Sequence, residues 1–185
     1  MIVKVCGITR REDAQAAVDA GASALGFIFY KPSPRYVTPE KASELGAGLD
    51  VWKVGVFVDE KTADIEAVMR AAKLDVAQIY GGTAPDGFRI WQAVRVSGVV
   101  PRTAFSGEAL FLDSSGNGIS FDWNIARAAA EKVVIAGGLD ASNVRNAIRI
   151  AQPWGVDASS RLESSPGIKD HEKVRQFIQA ARELS

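Results

Sequence analysis

Cys6 is the residue whose type and position most favour chemistry. It is the only cysteine in the chain, and it stands where the apolar run at residues 2–5 meets Gly7. A structural thiol usually lies inside an apolar run, whereas a side chain at a strand tip faces whatever the strand end faces. From this segment alone, both a small core residue and a functional thiol remain open.

Three further candidates follow other apolar runs. Arg35, in SPRY, is either a solvated surface arginine or a clamp for an anionic group. Asp122, in FDW, is either the N-cap of a following helix or a general acid whose pKa the flanking aromatic rings raise. Asp113 precedes Ser-Ser-Gly, which favours an Asx turn over chemistry.

Two pairs of small residues indicate a phosphate site. Gly137 and Gly138 lie in AGGL, and Ser159 and Ser160 lie in DASSR. Glycines allow backbone N–H groups to approach a ligand closely, and hydroxyls beside amides suit a phosphate. Loops after strands seven and eight of a TIM barrel usually bind phosphate. Together the pairs predict a small phosphorylated substrate.

Eight apolar runs provide the strands that would position these residues. Nearly continuous apolar character is typical of parallel strands buried on both faces, and helix-period segments stand between several of them. The pattern predicts an α/β fold, a (β/α)8 TIM barrel, as a single domain over residues 1–185. The runs are residues 2–6, 24–30, 52–58, 75–80, 89–94, 109–113, 132–137 and 154–159.

Two crossovers are too short for a complete barrel of this type. Residues 81–88 separate the fourth and fifth runs, and residues 97–107 follow the fifth. Eight extended residues span roughly 26–29 Å, enough to return along a strand of about 20 Å without a helix. We therefore predict a minimised barrel in which the crossover helices after strands 4 and 5 are absent or strongly shortened. Where these helices are missing, a partner subunit or the side chains of Phe88, Trp91 and Phe105 would cover the outer face of the strands.

Composition limits the partners and the compartment. The 22 acidic and 22 basic residues give zero net charge, so there is no electrostatic reason to expect a nucleic-acid or membrane partner. No apolar stretch reaches the roughly 18 residues of a membrane span, and the N-terminus lacks signal-peptide regions. A lone cysteine suits a reducing cytoplasm. The single histidine, His171, argues against histidine-rich zinc sites and a Ser-His-Asp triad.

Longer segments carry a family resemblance. The sequence resembles the phosphoribosylanthranilate isomerases of tryptophan biosynthesis, in the family's order and failing only over about 81–108. This resemblance implies a (β/α)8 barrel that performs an Amadori rearrangement without cofactor or metal; monomer and homodimer both remain open. The matching segments are KVCGIT, GASALGFIFYKPSPRYV, VGVFVD, LDSSGNGISFDW, VIAGGLDASNV and GVDASSRLESSPGIKD.

The resemblance also implies residue roles. Cys6 matches the family's general base, and Asp122 matches its general acid. Arg35 would hold the anthranilate end of the substrate, and Asp157 matches an acidic position that faces the substrate. The phosphate would be held by Gly137, Gly138, Ser159 and Ser160.

Three positions depart from the family pattern. Tyr80 stands where a histidine is expected; its hydroxyl keeps a hydrogen bond but carries no charge. Arg161 replaces a glycine, which predicts strain if that backbone has positive φ, or an added charge near the phosphate. The loop at residues 114–120 is shorter than usual.

Two other functions are compatible with the barrel. One is the related isomerase of histidine biosynthesis, which uses an aspartate where this chain has Cys6. The other is a non-catalytic phosphate-binding or interaction barrel derived from the same family. Turnover of phosphoribosylanthranilate distinguishes both from the main hypothesis.

Overall fold

The computed structural model describes residues 1–96, 106–114, 122–127 and 129–183. The expected short coil after strand five lies largely outside these residues, as does most of the loop at 114–120.

Eight parallel strands form a closed barrel in chain order, which confirms the predicted TIM-barrel class. Strand β1 pairs with β2 on one side and with β8 on the other, where Lys4 lies beside Asp157. The carboxyl ends of all eight strands therefore meet at one rim of the barrel, where the candidate residues at the strand ends were expected to come together. The strands are β1 Ile2–Cys6, β2 Ala24–Ile28, β3 Trp52–Val58, β4 Val76–Tyr80, β5 Arg89–Val96, β6 Ala109–Ser114, β7 Val133–Ile135 and β8 Gly155–Ala158.

The helices pack on the outside of the barrel. Helix α2 begins with Pro39 after Thr38, whose hydroxyl accepts a hydrogen bond from the Lys41 N–H, an N-cap that the sequence analysis did not use. Their apolar faces and the outward strand residues form one buried layer. The helices are α1 Arg11–Asp19, α2 Pro39–Gly46, α3 Thr62–Ala71, α4 Val144–Ala151 and α5 His171–Arg182. None of the described helices is long and apolar enough to cross a membrane.

A second apolar cluster fills the barrel interior. Trp52, Trp91 and Trp154 pack against one another with ring centroids 5.7–6.0 Å apart. Trp91 is fully buried inside the barrel, so the expectation that it covers the thin outer side was wrong. Alternation along the strand points it inward, a choice that its residue type does not reveal.

The fourth crossover contains no helix, as predicted. Residues 81–88 join β4 to β5 directly. Phe88 and Ala84 pack against the outer apolar layer there, and the guanidinium carbon of Arg70 lies 5.2 Å from the Phe88 ring centroid. Phe88 therefore supplies part of the cover, whereas Phe105 lies outside the described residues.

The segment after β8 carries structure that the sequence analysis did not predict. A 3-10 helix at Ser160–Leu162 leads into an antiparallel pair, β9 Glu163–Ser165 and β10 Ile168–Lys169. His171 is half-exposed, and its Nε2 lies 2.8 Å from Oδ1 of Asp13. This hairpin lies beside the rim and brings charged residues toward the strand ends.

Candidate active site

A cavity of about 250 Å³ opens at the carboxyl ends of the strands. Its wall combines strand ends from opposite sides of the barrel with the loops after β7 and β8. All the predicted site residues except Asp122 line it: Cys6, Arg35, Gly137, Gly138, Asp157, Ser159 and Ser160.

Cys6 lies at the end of β1 with only 6% of its surface exposed. Gly7 turns the chain immediately afterwards with φ +75, and a Cβ there would lie 2.6 Å from Cδ of Arg35. Burial raises the pKa of the Cys6 thiol; the Lys4 ammonium opposes this rise, and the Asp157 carboxylate adds to it. The sulfur therefore lies in the cavity wall with a cation and an anion beside it.

Lys4 and Asp157 form a buried ion pair beneath the cavity. Nζ of Lys4 lies 2.8 Å from Oδ1 of Asp157. Burial disfavours the Lys4 ammonium, but Asp157 and Cys6 outweigh burial, so the pKa of Lys4 is raised. Burial raises the pKa of Asp157, and Lys4 opposes it. The sequence analysis missed Lys4, although a charge at an inward position of an apolar strand was a usable signal.

Arg35 reaches the cavity from the loop after β2 and is held there by Glu163. Its Nε and Nη2 donate to Oε1 and Oε2 of Glu163, both at 2.7 Å. Glu163 also accepts from Nζ of Lys169 at 2.9 Å, and Lys169 donates to the Ser159 carbonyl at 3.2 Å. Arg35 is therefore anchored rather than solvated. The sequence analysis missed Glu163 and Lys169, whose partners are distant in the chain.

The two pairs of small residues meet at one side of the cavity. Gly137 has φ +91, and a Cβ there would lie 2.1 Å from Oγ of Ser114, so only glycine fits between β6 and β7. The Ser159 hydroxyl donates to the Cys6 carbonyl at 3.0 Å, which ties the loop after β8 to the end of β1. Both pairs of small residues thus line the same cavity.

Arg161 also lines the cavity but is not strained. It lies in the 3-10 helix, and the described non-glycine residues with positive φ are Asp59, Lys73 and Gln152. The condition on which strain was expected is therefore not met. Its Nη1 lies 3.8 Å from Oδ2 of Asp140, and the side chain lines the cavity beside Gly137, Gly138 and Ser160.

Tyr80 and Asp113 form a hydrogen bond in the wall of the cavity. The Tyr80 hydroxyl donates to Oδ2 of Asp113 at 2.9 Å and accepts from Nε2 of Gln78 at 3.2 Å, so the expected hydrogen bond is present. Burial, followed by Asp113, raises the pKa of Tyr80 well above its usual range. Burial raises the pKa of Asp113, and the Tyr80 hydrogen bond opposes it. Asp113 thus faces the cavity, a position the Asx-turn interpretation did not anticipate.

Asp122 takes the N-cap role that the sequence analysis left open, and its carboxyl is not desolvated. Its carboxylate caps the 3-10 helix Trp123–Ala126, accepting from the backbone N–H of Asn124 at 3.0 Å and from its Nδ2 at 2.8 Å. The side chain is exposed, and these two hydrogen bonds lower its pKa. The expected desolvation by aromatic neighbours was wrong, because the capping geometry turns the carboxylate to solvent.

The cavity wall therefore combines a thiol, a guanidinium held by a carboxylate, and a group of glycines and serines. Within the described part of the chain, no group of three or more histidine, cysteine, aspartate or glutamate side chains could hold a metal ion. Such a cavity can hold an anionic small molecule and move a proton at one of its carbons.

Comparison with known proteins places this geometry in a family. The family model described as N-(5'phosphoribosyl)anthranilate (PRA) isomerase matches residues 3–180. A protein named N-(5'-phosphoribosyl)anthranilate isomerase from Solibacter usitatus is 46% identical over 198 residues, covering 98% of each chain. One of the same name from Pelobacter propionicus is 44% identical, covering 98% of this chain and 95% of its own.

Solved structures agree with the sequence relatives. The phosphoribosyl anthranilate isomerase of Thermus thermophilus superposes with a TM-score of 0.91 at 32% identity, covering 100% of both chains. Monomers of the dimeric enzyme from Thermotoga maritima give 0.86 at 34% identity, also over 100% of both chains. A third structure holds reduced 1-(o-carboxyphenylamino)-1-deoxyribulose 5-phosphate and gives 0.86 at 35% identity.

Proposed function

Because this chain belongs to the N-(5'-phosphoribosyl)anthranilate isomerase family, we propose that it converts N-(5'-phosphoribosyl)anthranilate to 1-(2-carboxyphenylamino)-1-deoxyribulose 5-phosphate, a step of tryptophan biosynthesis in the cytoplasm. The observation that supports this most is the single cavity wall shared by Cys6, Arg35 and the two pairs of small residues. A thiol, a guanidinium and an anion-binding corner match the reacting carbon, carboxylate and phosphate of that substrate.

In the proposed reaction, Asp122 donates a proton to the ribose ring oxygen, and the ring opens to a protonated Schiff base. The Cys6 thiolate then removes the proton from C2′, giving an enolamine that tautomerises to the ketone product. The positive iminium favours a thiolate nearby, which offsets the effect of burial on the thiol. Bonds and protons balance without a cofactor.

Charge distribution supports the proposed orientation of the substrate. Arg35 would pair with the anthranilate carboxylate, since Glu163 fixes its guanidinium at the rim. The phosphate would lie against Gly137, Gly138, Ser159 and Ser160, with Arg161 adjacent. Asp157 would face the reacting carbons from below, beside Cys6.

Asp113 is a second candidate for the acid step. Asp122 carries the step by its match to the family motif, but its lowered pKa and exposure leave it ionised in the substrate-free protein. Asp113 lines the cavity, and burial raises its pKa. Direct comparison of the activities of Asp122→Asn and Asp113→Asn therefore identifies the carboxyl that acts as the acid.

The test follows the loss of phosphoribosylanthranilate fluorescence with the intact protein. We expect turnover in the parent and a loss of about 10²–10⁴-fold in Cys6→Ala, the usual contribution of a general base. Asp122→Asn should lose a similar factor while Asp113→Asn keeps more activity; the reverse order would transfer the acid role to Asp113. A folded parent without turnover would favour the non-catalytic barrel.

A further inference from the structure

One buried lysine inside the barrel has no part in the reaction proposed above. The side chain of Lys4 has 0% exposure, its Nζ lies 2.8 Å from Oδ1 of Asp157, and it stands 5.2 Å from the ring centroid of Phe111. An ammonium in such a place costs much solvation free energy and is tolerated only when paired. The pairing fixes one positive charge beneath the floor of the cavity.

That charge is adjacent to the thiol. Lys4 and Cys6 lie two residues apart on β1, so their side chains point to the same side of the sheet. A Cβ built on Gly26 of β2 would lie 2.6 Å from Sγ of Cys6 and 3.0 Å from Nζ of Lys4. Both atoms thus border the space that Gly26 leaves empty.

We propose that Lys4 is a positioning residue for the isomerase reaction: its ammonium is the counter-ion of the Cys6 thiolate, and Asp157 holds that ammonium beside the sulfur. This proposal rests on the proposed function, because it takes Cys6 to be the base. Lys4 transfers no proton. It stays an ammonium while the sulfur receives the C2′ proton of the substrate and later returns to the thiolate.

Charged groups from several elements influence the same sulfur. After burial, Lys4 is the largest influence on the pKa of Cys6 and lowers it; Asp157 on β8 raises it, and Lys169 on β10 lowers it. Lys169 is already paired with Glu163, whereas Lys4 shares with the sulfur the space beside Gly26. Arg35 and Tyr80 also interact electrostatically with Cys6.

The substrate-free protein allows a direct test, because Cys6 is its only cysteine. Thiolate ultraviolet absorbance and the rate of alkylation by iodoacetamide, each followed against pH, report on this one group. Lys4→Met should raise the apparent thiol pKa by at least about one unit, a tenfold loss of thiolate at a given pH. Asp157→Asn, which keeps the ammonium, should shift the pKa in the opposite direction.

A double variant guards against misfolding of Lys4→Met, which would leave the Asp157 carboxylate buried and unpaired. The double variant Lys4→Met/Asp157→Asn removes both charges. At a given pH it should contain at least about tenfold less Cys6 thiolate than Asp157→Asn alone. Equal titration of these two variants would overturn the proposal. Lys53→Met is the matched control: Lys53 pairs with Asp75 at 3.6 Å at the start of β3, and its loss should leave the thiol titration unchanged.

Activity measurements separate this inference from the proposed function. In the wild type and Lys4→Met, the pH profile of kcat/KM should move in parallel with the thiol titration. If the titration shifts but the wild type does not turn over phosphoribosylanthranilate, the counter-ion role stands and the proposed function fails. If the wild type is active through Cys6 and the titration does not shift, the counter-ion role alone fails.

Discussion

Replacing Glu163 by glutamine should weaken both the fold and ligand binding. Glu163 accepts a bidentate pair of 2.7 Å hydrogen bonds from Arg35 and a third, of 2.9 Å, from Lys169. Its side chain is 5% exposed, and that of Lys169 is 0% exposed. Glutamine keeps the shape but removes the negative charge that both cations need.

The magnitude follows from burial. Removing one partner of a buried ion pair costs about 3–5 kcal/mol. Arg35 is 19% exposed and partly solvated, which places the expected loss near the low end, about 3 kcal/mol. For a chain of this size that loss lowers Tm by about 6–12 °C. The KM for phosphoribosylanthranilate should rise as well, because the Arg35 guanidinium loses its anchor.

Urea and thermal unfolding of Glu163→Gln measure the first effect, and steady-state kinetics measure the second. Glu44→Gln provides the matched control: Glu44 pairs with Lys41 at 2.9 Å on the surface of α2, and its loss should cost less than about 0.5 kcal/mol. If the two variants unfold alike and KM is unchanged, the reasoning that Glu163 anchors the site is refuted.

The ion pairs of Glu163 with Arg35 and Lys169 also predict how the free energy of unfolding depends on pH. Burial acts to raise the pKa of Glu163, but Arg35 and Lys169 outweigh it, so its pKa is lowered. A carboxyl with a lowered folded-state pKa stabilises the protein above its unfolded pKa, and this stability is lost as pH falls through the folded value. The difference in the free energy of unfolding between the wild type and Glu163→Gln should therefore be largest at neutral pH and shrink below about pH 4.3.

Three more predictions concern the groups around the sulfur. Gly26→Ala places a methyl group 2.6 Å from Sγ and 3.1 Å from Cα of Cys6. Displacing the base should lower kcat by about 10²-fold, while the far-UV circular dichroism spectrum stays unchanged. A near-normal kcat would contradict this packing of Gly26 against Cys6. Because burial raises the pKa of Cys6, kcat/KM of the wild type should rise with pH through and above the usual thiol range; a profile already flat at pH 7 would count against a buried thiol as base. Tyr80→Phe removes the partner of the partly buried Asp113 carboxyl and should cost about 1 kcal/mol in urea unfolding, a loss that Tyr30→Phe, at an exposed position, should not show.

Local patterns predicted the architecture well. Continuous apolar runs mark strands buried on both faces, and strand ends in a parallel barrel meet at one rim. The eight strands and the missing fourth crossover helix were therefore predictable, as was the position of Cys6 at the rim. Helix α2 and the β9–β10 hairpin escaped prediction because short elements with mixed composition give weak periodicity.

The sequence by itself determined which residues stand at strand ends, since that depends only on the order of apolar runs along the chain. Tertiary structure alone decided their electrostatics. Lys4 meets Asp157 from 153 residues away, and Arg35 meets Glu163 from 128 residues away. Asp122 turns to solvent as a cap, whereas Asp113 is partly buried in the cavity wall. A pKa depends on burial and on charges within a few ångströms, and both are fixed only when the barrel closes.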